Sequence, residues 1–176
     1  MRYAARDTAA RHERIVKEAS HLFRERGFEN VTVADVMKAA GLTHGAFYAH
    51  FGSKQELQAA AVAHGQSLSA DRARSYGAKK KGRQAYADRY LSARHRDSPG
   101  DGCTMTSLAQ EVARSTPEFK AAFEKGFEEI LSARGGDRSA AIFQTAALLG
   151  AVVLARAVQN EQLSDEILES VRQKIG

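Results

Sequence analysis

The sequence predicts an all-α fold, in which a small N-terminal helical domain precedes a larger helical body. The 176 residues include only two prolines, no tryptophan and many alanines, a composition that favours helices over a sheet with frequent turns. Apolar residues recur at helical spacing along most of the chain, and glycines and capping residues divide it into about nine helices. The chain is long enough to bury a sizeable core.

The N-terminal segment contains three predicted helices separated by glycines. The first covers about 8–26 and carries an apolar stripe. A second, short helix begins after a cap at Thr32 and ends at Gly41, and Thr43 is the predicted cap of a third helix over about 44–51. Two short helices joined by a tight glycine turn, packed on a longer helix, form a helix-turn-helix. The second helix of that motif normally enters the major groove of DNA.

The third helix is too short and too polar to be a core element. Outside its packing face it presents hydroxyl, imidazole and glycine positions, which suit close approach to bases and phosphates. They are Thr43, His44, Gly45, Tyr48 and His50. Each residue taken alone is better explained as a cap or an ordinary surface residue. As a group they favour a contact with nucleic acid.

The stretch from Arg14 to Ala61, with G-A-F-Y-x-H-F-x-S-K-x-x-L after the turn, resembles the DNA-binding domain of the TetR family of bacterial repressors. The resemblance implies a DNA-binding domain over 8–60 and a ligand-sensing and dimerisation domain over 61–176. It implies base contacts from Thr43, His44, Gly45 and Ala46, and phosphate contacts from Thr32, Lys38, Tyr48, His50 and Lys54.

The charge distribution is asymmetric. Residues 1–98 carry 18 Lys and Arg against 10 Asp and Glu, whereas residues 99–176 carry 8 against 11. A polyanion would therefore bind the N-terminal half. Ordinary solubility accounts for the net charge of +5 equally well.

The C-terminal body is predicted to contain the remaining helices. A fourth helix begins at a capping box of Ser53 and Glu56, residues 75–83 form a basic loop, and further helices cover about 84–94, 104–115, 117–131, 139–159 and 164–174. The apolar run over 140–155 is too short and too polar for a membrane span. TetR-like proteins pair their last two helices into a four-helix bundle, which implies a homodimer interface at Ala146, Ala147, Gly150, Leu154, Ile167 and Val171. The alternative is that the helix over 139–159 is the core of a monomer.

A ligand cavity is implied by the resemblance more than by the residues themselves. Apolar and aromatic candidates for its lining, each also explained by core packing, are Tyr86, Tyr90, Met105, Leu108, Phe119, Phe123, Phe127 and Phe143. Their character favours a hydrophobic effector. Cys103, at a helix start, resembles a cysteine through which some members of one family branch respond to oxidants or electrophiles, although a free cysteine is often a small buried hydrophobe.

Other functional classes lack support in the sequence. We find no nucleotide-binding glycine loop, zinc-ligand spacing or Ser-His-Asp grouping, so we expect neither an enzyme nor a cofactor or metal. A helical adaptor that binds only protein is the third class. The charged first thirty residues and the single cysteine predict a cytoplasmic protein. The expected function is a dimeric repressor that leaves a palindromic operator when a small effector binds or Cys103 is modified.

Overall fold

A computed structural model describes residues 2–77 and 79–175, with the side chains of residues 2–5 left out of the description. This part of the chain contains helices and no strand, so the predicted all-α class is confirmed. The α-helices are α1 (Arg2–Arg26), α2 (Val33–Ala39), α3 (Lys54–Tyr76), α4 (Lys80–Tyr90), α5 (Ala93–Asp97), α6 (Thr104–Ala113), α7 (Pro117–Arg134), α8 (Arg138–Ala157) and α9 (Glu161–Ile175). Two 3₁₀ helices cover His44–Ala49, hereafter the recognition helix, and Pro99–Asp101.

Several boundaries differ from the predicted ones. The first helix begins at Arg2, not near residue 8, and α4 begins at Lys80, so the connection predicted over 75–83 shrinks to a few residues. The additional short helix α5 starts where Ser92 Oγ accepts a hydrogen bond from the His95 amide at 3.2 Å. The recognition helix is 3₁₀ and ends two residues early.

The predicted caps are formed in part. Thr32 and Asp35 make the complete capping box of α2. Ser53 Oγ accepts from the Glu56 amide at 3.1 Å, but Glu56 Oε2 accepts from the amide of Gly52 and not from that of Ser53. The Thr43 side chain makes no capping hydrogen bond, so its hydroxyl is not committed to the helix.

The interior consists of two apolar clusters that meet along α3. The first is built from α1, α2, the recognition helix and the start of α3, but it also includes Leu108, Val112 and Phe119 from the body. The second joins α3 and α4 to α6, α7, α8 and α9. Because the first cluster crosses position 60, the helix-turn-helix rests on the body. The domain boundary there stays a prediction.

Helix α8 has two different faces. One face is buried against the rest of the chain by Ala141, Thr145, Leu148, Ala151, Val152 and Ala155. The other leaves large apolar side chains exposed, among them Phe143 at 69% and Leu154 at 57%. Among the described residues, this 20-residue helix alone meets the length and composition of a membrane span. The expectation that it is too short was therefore wrong, although the core helix of a soluble protein meets the same criterion.

Candidate nucleic-acid interface and arginine cleft

The recognition helix is held by aromatic packing on its inner side. Phe47 and Phe51 are buried and their rings stack at 5.8 Å. The imidazole of His12, on α1, stacks on Phe51 at 4.6 Å. Sequence analysis missed His12, although its position, three residues before Ile15, continues the apolar stripe of α1. Three rings thus fix the orientation of a helix of only six residues.

The outer side of the recognition helix carries the polar groups that the sequence singled out. Thr43, His44 and Gly45 are exposed, and Tyr48 is 70% exposed, with its ring edge against Phe47 at 5.3 Å. A Cβ atom added to Gly45 would meet no atom within 4 Å, and the φ angle of this glycine is not positive. Neither packing nor backbone conformation therefore requires glycine at position 45.

Two other residues that were predicted to contact DNA are only partly exposed on this surface. Ala46 packs against the first apolar cluster, and the His50 ring lies 5.9 Å from that of His12. Both are half-buried, so they contribute less to the outer side than predicted.

The residues beside the recognition helix that were predicted to contact phosphate differ in whether their polar groups are already hydrogen-bonded within the protein. Lys38 is exposed. Lys54 Nζ donates to the carbonyl oxygen of Phe28 at 2.7 Å, which ties the start of α3 to the end of α1. The Thr32 hydroxyl donates to Asp35 Oδ2 at 2.5 Å, and this bond holds the pKa of Asp35 below its usual value. Thr32 is therefore occupied as a cap.

A cleft of about 500 Å³ opens between α3, α4 and the segment that follows α4. We call it the arginine cleft, since its walls include Arg72, Arg89 and Arg94, with His95 beside them and Tyr86, Tyr90 and Cys103 as the buried part. Three of the predicted ligand residues thus come together here. The lining is more polar than predicted, and the arginines were missed, although Arg89 shares one face of α4 with Tyr86 and Tyr90.

The other predicted lining residues lie elsewhere. Met105 borders a small void beneath the cleft. Leu108 and Phe119 belong to the first apolar cluster, while Phe123 and Phe127 are half-buried and pack against the second. Phe143 is on the surface of α8, so its placement in a cavity was wrong. Helical spacing shows that a position belongs to an apolar face of a helix. Where a helix has two apolar faces, as α8 does, the spacing does not show which of them packs against the rest of the chain.

The floor of the arginine cleft is organised by His95. Its Nε2 accepts the amide hydrogen of Cys103 at 3.0 Å, so its Nδ1 carries the proton and donates to the carbonyl oxygen of Tyr90 at 2.6 Å. Burial lowers the pKa of His95 to about 4, which keeps the ring neutral. Burial also raises the pKa of Tyr86 to about 12 and that of Tyr90 well above its usual value. None of these groups carries charge near pH 7.

Three arginines fasten the segment Ala93–Cys103 to other parts of the molecule. Arg24, on α1, donates to the carbonyl oxygen of Gly100 from Nε at 2.9 Å and from Nη2 at 2.6 Å. Arg156, on α8, donates to the carbonyl oxygens of His95 and Arg96, each at 2.8 Å. Arg96 in turn pairs with Asp165 on α9 at 2.7 Å. This cleft wall therefore contacts both the helix-turn-helix and the last two helices.

The predicted dimer residues lie on α8 and α9. On α8, Ala146 and Leu154 are exposed, and a Cβ atom added to the half-buried Gly150 would meet nothing within 4 Å, whereas Ala147 is half-buried and packs against the second apolar cluster. On α9, Ile167 and Val171 are half-buried because they also pack against the second apolar cluster. Within the described part of the chain no group of His, Cys, Asp or Glu is arranged to hold a metal ion.

The geometry defines a helix-turn-helix protein with a helical body. Residues 15–61 match the sequence model of the bacterial regulatory proteins of the tetR family. The fold is similar to that of E. coli NemR in its reduced form, with TM-score 0.79 and 21% identity over 94% of this chain and 95% of that one. A TetR transcriptional regulator from Chloroflexus aurantiacus gives TM-score 0.74 and 22% identity over 97% and 96%.

Two curated Bacillus subtilis relatives match in the N-terminal region. The uncharacterized HTH-type transcriptional regulator YerO is 42% identical over 45 residues, which are 26% of this chain and 16% of YerO. The uncharacterized HTH-type transcriptional regulator YvdT is 33% identical over 52 residues, which are 30% of this chain and 27% of YvdT. The region around the recognition helix thus matches the tetR family of bacterial regulatory proteins, and the fold is similar to that of solved TetR regulators.

Proposed function

We propose that this protein is a cytoplasmic transcriptional repressor that binds a near-palindromic operator as a homodimer. The proposal rests on one observation. The recognition helix exposes polar side chains on its outer side, while buried aromatic rings fix its inner side. Thr43, His44 and Gly45 would face base edges, and Tyr48 would bind phosphate. One helix of this length supplies few base contacts, which is why two copies would be needed.

The exposed face of α8 supports the dimer. Large apolar side chains grouped on one helix face are unusual on a monomer surface, and Gly150 would let a partner helix approach closely. A symmetric interface formed by α8 and α9 would set the distance between the two recognition helices. A dimer interface also accounts for the apolar character of α8 without a membrane.

Two triggers for release from DNA fit the arginine cleft. The first is a small molecule bound in the cleft. The second is modification of Cys103, which is buried at the cleft floor and follows the Pro99–Asp101 turn held by Arg24. The solved structure of E. coli NemR is of its reduced form, so that protein has a redox state. Either trigger would have to favour the conformation that does not bind DNA.

Footprinting on the DNA that flanks the gene of this protein tests the proposal. We expect a protected, near-palindromic site, lost in the double variant Thr43→Ala, Tyr48→Phe. The variant Gln110→Ala, at an exposed position of α6, is the matched control and should protect the same site. An enzyme or an adaptor that binds only protein would protect nothing.

A further inference from the structure

The arginines of the C-terminal body differ in whether they have partners. Arg96, Arg138 and Arg172 pair with carboxylates, Arg156 donates to carbonyl oxygens, and the Arg134 guanidinium lies 4.8 Å from the centre of the Tyr86 ring. The guanidinium groups of Arg72, Arg89 and Arg94 have no hydrogen bond or ion pair to any described residue, and all three residues line the arginine cleft. The guanidinium group of Arg114, which borders a separate groove, also has no partner among the described residues.

The cleft is therefore a concave site with an excess of positive charge. Among the described residues that line it, Asp101, exposed at the edge, is the one with a carboxylate. His95 is neutral, because Nε2 accepts a hydrogen bond and Nδ1 donates one. A cleft lined by one sign of charge concentrates its electric field and attracts the opposite charge. Guanidinium groups also match the planar, two-oxygen geometry of a carboxylate.

The inner part of the cleft offers an apolar surface next to this charge. The rings of Tyr86 and Tyr90 stack at 5.8 Å with 29° between their planes, and both side chains are buried. The Tyr90 hydroxyl already shares a hydrogen bond with Thr106 at 2.6 Å. The tyrosines thus present ring carbon to a ligand, while the arginines present charge.

We propose that the arginine cleft binds a small organic acid as its anion. Its acid group is held by Arg72, Arg89 and Arg94, and its apolar part lies against Tyr86 and Tyr90. This specifies the effector of the regulator proposed above and rests on that function. It replaces the purely hydrophobic or aromatic effector that the sequence favoured with an acid, because the lining carries more charge than the sequence-based candidates did.

Matched acid and amide pairs test the charge requirement directly. The full chain is titrated with benzoate and benzamide, 2-naphthoate and 2-naphthamide, and decanoate and decanamide, with thermal stability and isothermal calorimetry as readouts. At least one acid should stabilise the protein and bind about tenfold or more tightly than its amide, since hydrogen bonds to a charged group are the stronger ones. If no acid binds better than its amide, the proposal is wrong.

The variant Arg72→Gln, Arg89→Gln locates the binding. It should weaken the acid by about tenfold or more while leaving the weak binding of the amide unchanged. The variant Arg114→Gln, Arg138→Gln, which removes the same two charges from exposed sites that do not line the cleft, should bind the acid like wild type. Equal acid binding by wild type and the double variant would place the ligand elsewhere and overturn the proposal.

Gel shifts on the same proteins separate this proposal from the regulatory function. Acid binding that depends on Arg72 and Arg89 supports the cleft even if no protein shifts operator DNA, a result that would count against the regulator alone. Operator binding with no preference for acids leaves the regulator standing and removes the cleft proposal.

Discussion

At the scale of single residues, Gly45 separates the requirements of folding from those of DNA binding. Gly45→Ala should leave the free energy of unfolding unchanged or raise it by up to about 1 kcal/mol, because the site is open and its backbone suits alanine. Operator affinity should fall about tenfold, since a methyl group would occupy the space next to base edges. Urea unfolding and fluorescence anisotropy with labelled operator measure the two effects.

Gly41 is the matched control for that substitution. It too has open space around its Cβ position, but its φ of +67° is in the left-handed region. Gly41→Ala should therefore destabilise the protein by about 1–2 kcal/mol. A Gly45→Ala variant that unfolds as easily as Gly41→Ala would contradict the assignment of position 45 to DNA contact.

His95 gives the stability of the protein a specific pH dependence. Burial lowers its pKa in the folded state to about 4, whereas the unfolded chain takes up the proton near 6.5. The unfolded state thus binds more protons between these values, so stability is fully present above about pH 6.5 and falls as pH drops towards 4. The loss should not exceed about 4 kcal/mol, at about 1.4 kcal/mol for each pKa unit.

The variant His95→Gln isolates this contribution. Its side-chain oxygen can still accept the Cys103 amide hydrogen but does not titrate, so the curve of stability against pH should be flatter between pH 4 and 6.5. His44→Gln, at an exposed site, should keep the wild-type slope. Wild-type behaviour in His95→Gln would mean that other groups cause the slope, of which His64 is one, since burial also lowers its pKa.

At the scale of elements, the contact between α1 and the Pro99–Asp101 turn connects the arginine cleft to the DNA-binding half. Arg24 makes it, and Gly100 lies so close to α1 that an added Cβ atom would be 2.7 Å from His21 Nε2. Arg24→Gln should therefore weaken the coupling between the arginine cleft and the DNA-binding half. In the wild type, operator binding should alter hydrogen exchange over residues 99–104, and in Arg24→Gln that response should be lost.

Arg26→Gln is the control for this prediction. Arg26 lies two residues further along α1, and its guanidinium pairs with Glu25 of the same helix at 3.3 Å. The variant should keep the wild-type exchange response. An unchanged response in Arg24→Gln would assign the coupling to α3, the covalent connection between the two halves.

The sequence predicted those features of the helices that depend on neighbouring residues, but not those that depend on packing between helices. The cap at Thr32 was predictable because its partner, Asp35, is three residues away. The 3₁₀ form of the recognition helix was not, since it depends on the packing of Phe47, Phe51 and His12. That Arg72 and Arg94 line the same cleft was equally unpredictable. The two residues belong to different helices, and neither is part of an apolar pattern that would indicate where its side chain lies.

At the scale of the whole molecule, the exposed face of α8 should control the oligomeric state. Leu154→Asp should convert a dimer to a monomer, because it places a charge in an apolar interface. Operator affinity should fall about a hundredfold as the two recognition helices lose their link. Light scattering and gel shifts measure both. Leu68→Asp, at a similarly exposed leucine of α3, should remain dimeric, and a Leu154→Asp monomer with wild-type affinity would contradict the prediction.

The bonds from Arg24 and Arg156 to the cleft wall end on backbone carbonyl oxygens, not on carboxylates. Ionic strength screens exposed charge pairs strongly but affects partly buried contacts much less. Occupancy of the operator should decline steeply as a cell accumulates salt, because phosphate contacts displace counterions. The factor by which saturating effector weakens operator binding should stay nearly constant over the same range. Osmotic stress would then change how much of the gene is repressed without changing the coupling free energy between effector and operator.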